Sequence, residues 1–116
     1  MKILTVWDKR EVHAMLNEEK IVLIQHVISN PGSEEVCYKL LEDMDDLKRN
    51  YGDYMTTAPI NCDEELKRLP DADYELCTAL LTMLLREDHF CNGSFMRRYE
   101  VGQAKMILDR MLELLE

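Results

Sequence analysis

Residues 73–115 read DYELCTALLTMLLREDHFCNGSFMRRYEVGQAKMILDRMLELL, and this stretch decides the fold. Its first half carries Leu76, Cys77, Ala79, Leu80, Leu81, Met83, Leu84 and Leu85, which are apolar on more than one helical face. A helix apolar nearly all round belongs in the middle of a bundle. Asp71 or Asp73 stands where such a helix wants its N-cap. Charge returns abruptly at Arg86-Glu87-Asp88-His89. Asn92-Gly93 then offers a left-handed stop, and Ser94 a fresh N-cap. Beyond it Val101, Ala104, Ile107, Leu108, Met111, Leu114 and Leu115 form one apolar stripe. Gly102 interrupts it early. Either residues 95–100 form a separate short turn, or Gly102 lets another backbone come close.

Upstream, Asp63 to Leu69 suits a short helix, acidic early and basic late, which Pro70 ends. Residues 53–62 read as loop, with Gly52 as the stop of the helix before it. That helix carries the stripe Val36, Cys37, Leu40, Leu41, Met44 and Leu47, with Ser33 placed to cap it. Ser29-Asn30-Pro31-Gly32-Ser33 is a turn. Residues 21–28, IVLIQHVI, are rich in β-branched side chains, yet their place in the order of elements favours helix. Asp8 and Glu11 have capping-box spacing, so a helix is expected from Lys9 through Val12, Met15 and Leu16 to Glu19. Residues 1–7 are a short strand or an apolar lead-in, with Trp7 as a packing anchor. The expectation is an all-α fold, a single compact bundle of about five helices spanning residues 1–116. The alternative is an α+β fold with residues 2–7 or 21–28 as strands.

The composition of the 116 residues fits this. Hydrophobic residues make up 47% and charged residues 32%, the balance of a globular chain rather than a disordered one. Net charge is -9, unevenly spread. Residues 86–110 hold five bases (Arg86, Arg97, Arg98, Lys105, Arg110) against four acids, and the rest of the chain is strongly acidic. Phosphate backbones need clustered Lys and Arg, so no direct nucleic-acid binding is expected. Cys37, Cys62, Cys77 and Cys91 form no CxxC pair, and Cys37 and Cys77 read as core residues. No signal stretch opens the chain, and no apolar run is long enough for a bilayer. The expectation is a cytoplasmic protein with reduced thiols and no membrane contact.

Several residues of the opening segment carry a resemblance. They are the Leu80-Leu81 and Leu84-Leu85 pairs, Arg86, His89-Phe90, Gly93-Ser94-Phe95, Gly102 and Arg110-Met111. Through them residues 73–115 resemble a bacterial domain family of unknown function. Its members occur alone and as extensions of macrodomain-type O-acetyl-ADP-ribose deacetylases. The resemblance implies no activity and no catalytic motif. A chain of 116 residues has no room for a macrodomain, so any ADP-ribose chemistry would come from a partner.

The candidate ligand site is the junction 86–98, with Arg86, His89, Ser94, Arg97 and Arg98 as its residues. Backbone N–H groups at a helix start favour an anion, and arginines in the first turn can grip a phosphate or carboxylate. Phe90, Phe95 and Tyr99 are placed to stack on a base. The plainer reading is a solvated helix end, a turn, and aromatics that pin it to the core. His89 with Asp88 or Glu87 lacks a nucleophile in a recognised arrangement, so no catalytic residue is assigned. His89 and Cys91, with Cys62 or His26, fall short of zinc spacing, so no metal or cofactor is expected. His13 and His26 read as core or edge histidines. Eight methionines invite a repacking surface, but Met15, Met44, Met83 and Met111 lie on apolar stripes and suit the core.

Three functions compete. The first is a non-enzymatic helical interaction or accessory module with an unidentified protein partner. The second is a ligand-binding or enzyme-associated domain linked to nucleotides or ADP-ribose. The third is an acidic phage-type inhibitor, for which the acids of 34–65 should share one exposed face. Oligomeric state is not legible.

Overall fold

The computed structural model describes residues 15–31 and 33–116. They form six α-helices: α1 (Asn17–Ser29), α2 (Glu34–Asp43), α3 (Cys62–Leu66), α4 (Tyr74–Phe90), α5 (Ser94–Glu100) and α6 (Gln103–Leu115). Two 3-10 turns, Tyr51–Tyr54 and Leu69–Asp71, link them. No strand occurs among the described residues, so the fold is all-α. Residues 21–28 are helical, which removes the strand alternative there. Residues 2–7, Trp7, the Asp8–Glu11 pair and His13 lie outside the described residues.

Helix α4 is the axis. Every residue from Cys77 to Leu85 is buried. It packs against α2, α3, α5, α6 and the Tyr51–Tyr54 turn, while α1 lies on α6 and α2. Each leucine buried this way stabilises the fold by about 2 kcal/mol relative to exposure. Two threonines inside this apolar helix satisfy themselves. Thr78 Oγ1 donates to the Glu75 carbonyl and Thr82 Oγ1 to the Thr78 carbonyl, both at 2.8 Å. Asp73 caps the helix by accepting from the Leu76 N–H at 2.8 Å.

Several boundaries differ from expectation, each for a local reason. Helix α1 starts at Asn17, after an extended Leu16 whose N–H donates to Glu19 Oε1 at 2.9 Å. The run expected from Lys9 therefore does not continue through residues 15 and 16. Helix α2 stops at Asp43, short of Gly52. Asp45 takes φ +60°, and the Asp46 N–H turns back to the Leu41 carbonyl at 2.8 Å. Ser33 precedes α2 without a side-chain cap bond. Gly102 takes φ +91° with open space where a Cβ would sit, so it turns the chain and makes α5 a separate helix. That separation raises the count above five. It also leaves Val101 73% exposed, off the expected stripe, while Leu114 is exposed near the end of α6. His26 is exposed on α1, not in the core. Met44, Met83 and Met111 are buried, as their stripes imply.

Two buried acids tie the elements together. Asp46 accepts from Lys20 Nζ at 2.8 Å and Tyr74 OH at 2.6 Å, joining α1, the end of α2 and α4. Glu65 is fully buried. Its carboxylate accepts from the Thr56 and Thr57 N–H groups at 2.9 and 2.7 Å, from both threonine hydroxyls, and from Arg68 at 2.8 Å. Burial alone would push its pKa up. The Thr57 hydroxyl, Arg68 and the two amides overcome this and hold it down at about 2.

Because the folded-state pKa of Glu65 lies below its ordinary 4.5, its contribution is complete above that pH and fades as pH falls through about 2. Glu65→Gln should lower stability at neutral pH by about 3 kcal/mol and flatten the acid limb of the stability curve in that window. Urea unfolding across pH measures both, and an unchanged acid limb would show that Glu65 carries no such linkage.

Candidate functional site

The junction between α4 and α5 is built by charge. Cys91 closes α4 with its N–H on the Glu87 carbonyl at 2.9 Å. Gly93 turns at φ +85°. A Cβ there would stand 3.3 Å from the Arg97 guanidinium. Ser94 is the first residue of α5, not its N-cap: its N–H returns to the Cys91 carbonyl, and its hydroxyl is buried with no hydrogen-bond partner among the described residues. The cap comes from the preceding helix, where Asp88 Oδ1 accepts from the Phe95 N–H at 3.0 Å. The protein's own carboxylate thus occupies the place an external anion would take.

Arg98 is equally committed. Its guanidinium forks onto Glu87 through Nε–Oε1 at 2.7 Å and Nη2–Oε2 at 2.8 Å. Nη1 reaches Asp63 at 2.8 Å and Gln103 at 2.9 Å. One side chain so clamps α3, α4 and α6 to α5, in the bidentate geometry that suits arginine. The hydrogen bonds from Arg98 hold the carboxyls of Glu87 and Asp63 below their usual range, and Glu87 in turn holds Arg98 firmly protonated.

The five candidate residues do not converge. Ser94, Arg97 and Arg98 border one hollow of about 310 Å³ with Glu87 and Asp63. Arg86 lines two different hollows, not this one. His89 is exposed and lines none of these three. The expected aromatic platform is also absent. Phe95 is fully buried, Tyr99 packs against it at a centroid distance of 6.4 Å, and Phe90 stands alone at 86% exposure. Within the junction Arg98 ties four helices together.

Two other places escaped sequence reasoning. A hollow of about 140 Å³ brings Lys48, Arg49 and Arg86 together with Tyr38, Tyr51 and Thr82. A wider groove of about 530 Å³ runs between α6 and the chain around the Leu69–Asp71 turn. Leu66, Leu69, Pro70 and Met106 line it, with Lys67, Asp109, Arg110 and Glu113 at its edges. The Lys48-Arg49 pair after the α2 stop, and Met106 out of phase with its stripe, were the only signals in the sequence.

Nucleophile chemistry finds little to use. Burial pushes the thiols of Cys37 up to about 12 and of Cys77 to about 11. Burial, then the Glu87 charge, pushes Cys62 to about 11. A thiol held protonated is a poor nucleophile and a poor metal ligand. Among the described residues no three His, Cys, Asp or Glu side chains are arranged to hold a metal ion, and no helix is long and apolar enough to cross a membrane.

The chain belongs to a family of unknown function, DUF6508, which it matches over residues 8–116. The match takes in the whole of segment 73–115 and most of what precedes it. Neither the curated proteins nor the solved structures hold a significant match to it.

Arg98→Ala should leave the helical circular dichroism in place and lower the melting temperature by about 5–10 °C, through the partly buried acids it strands. Arg98→Lys should recover less than half of the loss, since an ammonium cannot fork onto Glu87 while holding Asp63. Full recovery by lysine would reduce the clamp to a simple charge effect. In the native protein a disulfide reagent should titrate Cys91 first, because it is the exposed thiol, with Cys37 and Cys77 reacting only on unfolding. Fast reaction at Cys77 in a fully folded sample would contradict the packing of α4.

Proposed function

We propose that this chain is a non-enzymatic helical interaction module. It receives an amphipathic helix of a protein partner in the groove between α6 and the Leu69–Asp71 turn. The observation that carries this reading is the groove itself. Met106 is 58% exposed above Leu66, Leu69 and Pro70, with charged side chains on both edges. An apolar floor with a charged rim is the form in which helix-in-groove sites recur. A thioether adapts to the side chains laid on it. The partner's polar flank is basic, because the chain carries a net charge of -9.

The fate of the acids supports the same reading. Glu65, Asp46 and Glu87, three carboxylates largely withdrawn from water, are each engaged in structural pairs. Asp46 and Glu65 also weaken the inhibitor reading, since two acids of the 34–65 segment face inward. The resemblance of residues 73–115 to a bacterial family joined to macrodomain-type O-acetyl-ADP-ribose deacetylases makes an enzyme of that kind the first partner to test. We place the protein in the bacterial cytoplasm, with four reduced cysteines.

Met106→Glu puts a charge on the groove floor without touching the core. The wild-type protein and this variant should be used to draw partners from the native host, and the recovered partner purified and recombined. A 1:1 complex is expected that shifts the Met106 methyl resonance and is weakened at least about tenfold by Met106→Glu. A partner that binds both proteins equally, or a chain with no stoichiometric partner, would overturn the reading.

A further inference from the structure

Ion pairing singles out one place on this molecule. Eleven of its bases lie among the described residues, and eight of them hold an acidic partner within 4.0 Å. The three with no such partner among the described residues are Arg49, Arg86 and Arg97. Two of these three, Arg49 and Arg86, line the same hollow, and Lys48 lines it with them. No acidic side chain among the described residues does. On a chain of net charge -9 the pairing of bases with acids is otherwise thorough. Two arginines gathered without a counter-charge among the described residues raise the local potential, and a bound anion relieves it.

The fold fixes this arrangement. The turn at Asp45 ends α2 and sends the chain across α4, where the Lys48 N–H donates to Thr82 Oγ1 at 3.2 Å. Arg86 stands one turn further along α4 than Thr82, on the same face. Lys48 Nζ is held by Glu75 at 2.5 Å, an acid on α4 that does not line the hollow. Thr82 spends its hydroxyl proton on the Thr78 carbonyl, so it closes the floor and leaves the arginines as the charged donors.

We propose that this hollow binds a phosphate dianion, either free or as the terminus of a small monoester. Its volume of about 140 Å³ equals that of about four or five waters. That is room for a tetrahedral oxyanion and little else, so the rest of a monoester lies in solvent. Guanidinium forks match two phosphate oxygens at once, which a spherical halide cannot exploit. The site is independent of the partner groove, which lies on another part of the surface and shares no residue with it.

The test is a titration of the ¹⁵N-labelled protein with sodium phosphate at constant ionic strength, observing the arginine Nε–H resonances. Saturable shifts at Arg49 and Arg86 are expected. Arg49→Ala and Arg86→Ala should each weaken binding by about tenfold, the loss of one charge-assisted pair. Arg97→Ala removes an equally unpaired arginine outside the hollow, and should change affinity less than about twofold. Affinity should fall from pH about 7.5 to about 5.5, as the dianion gains a proton, at pH ~6 for a monoester and closer to neutrality for the free ion. Glycerol 3-phosphate binding more tightly than inorganic phosphate assigns the site to a monoester; equal binding assigns it to the free ion. Failure to saturate, an equal loss in Arg97→Ala, or acetate binding as tightly as phosphate would each overturn the proposal.

Discussion

The burial of α4 on all sides is the constraint from which the rest follows. Nine successive residues, Cys77 to Leu85, are withdrawn from water. A helix presents a new face every residue, so no single partner can cover such a run. The fold must supply cover from several directions, and α2, α3, α5, α6 and the Tyr51–Tyr54 turn do so. The chain reverses tightly at Asp45, Gly93 and Gly102 to bring them there. Polar groups on this helix face two choices. Thr78 and Thr82 fold their hydroxyls onto their own backbone, and charge waits until Arg86, where the cover ends.

What the sequence revealed, and what it hid, divides along the same line. Periodicity exposed α4, α6 and the α2 stripe, because those patterns record burial directly. The turn at Gly93 was visible because only a few residue types accept its backbone angles. Boundaries set by hydrogen bonds were not visible. Ser94 has the chemistry of an N-cap, yet Asp88 takes that role from seven residues away, and nothing in the string shows which oxygen arrives first. Asp45 ended α2 with a backbone angle more often given to glycine, so the stop was sought at Gly52.

The candidate site fared likewise. Arg86, His89, Ser94, Arg97 and Arg98 are neighbours in sequence, yet two helices divide them: Ser94, Arg97 and Arg98 border one hollow, while Arg86 lines others and His89 none of these. Arg98 looked like an anion-binding residue and is one; its anions are Glu87 and Asp63. The internal pairing of this acidic chain decides which charges remain available. That pairing joins residues up to 35 positions apart, a distance at which no local pattern survives.

The Glu65 nest has a further consequence, for the order in which this chain assembles. Its hydrogen bonds span at most nine residues, from Thr56 to Glu65, whereas Arg98 and Asp63 are separated by 35. Closing the longer loop costs about 1 kcal/mol more in chain entropy. The segment from Tyr54 to Arg68, also joined by the Arg68 bond to the Tyr54 carbonyl, can therefore knit itself from local contacts alone. The Arg98 clamp and the Ala72–Arg110 bond, which spans 38 residues, need the helices already side by side. In kinetic terms the nest belongs among the early, low-contact-order parts of the fold, and the clamp among its late closures.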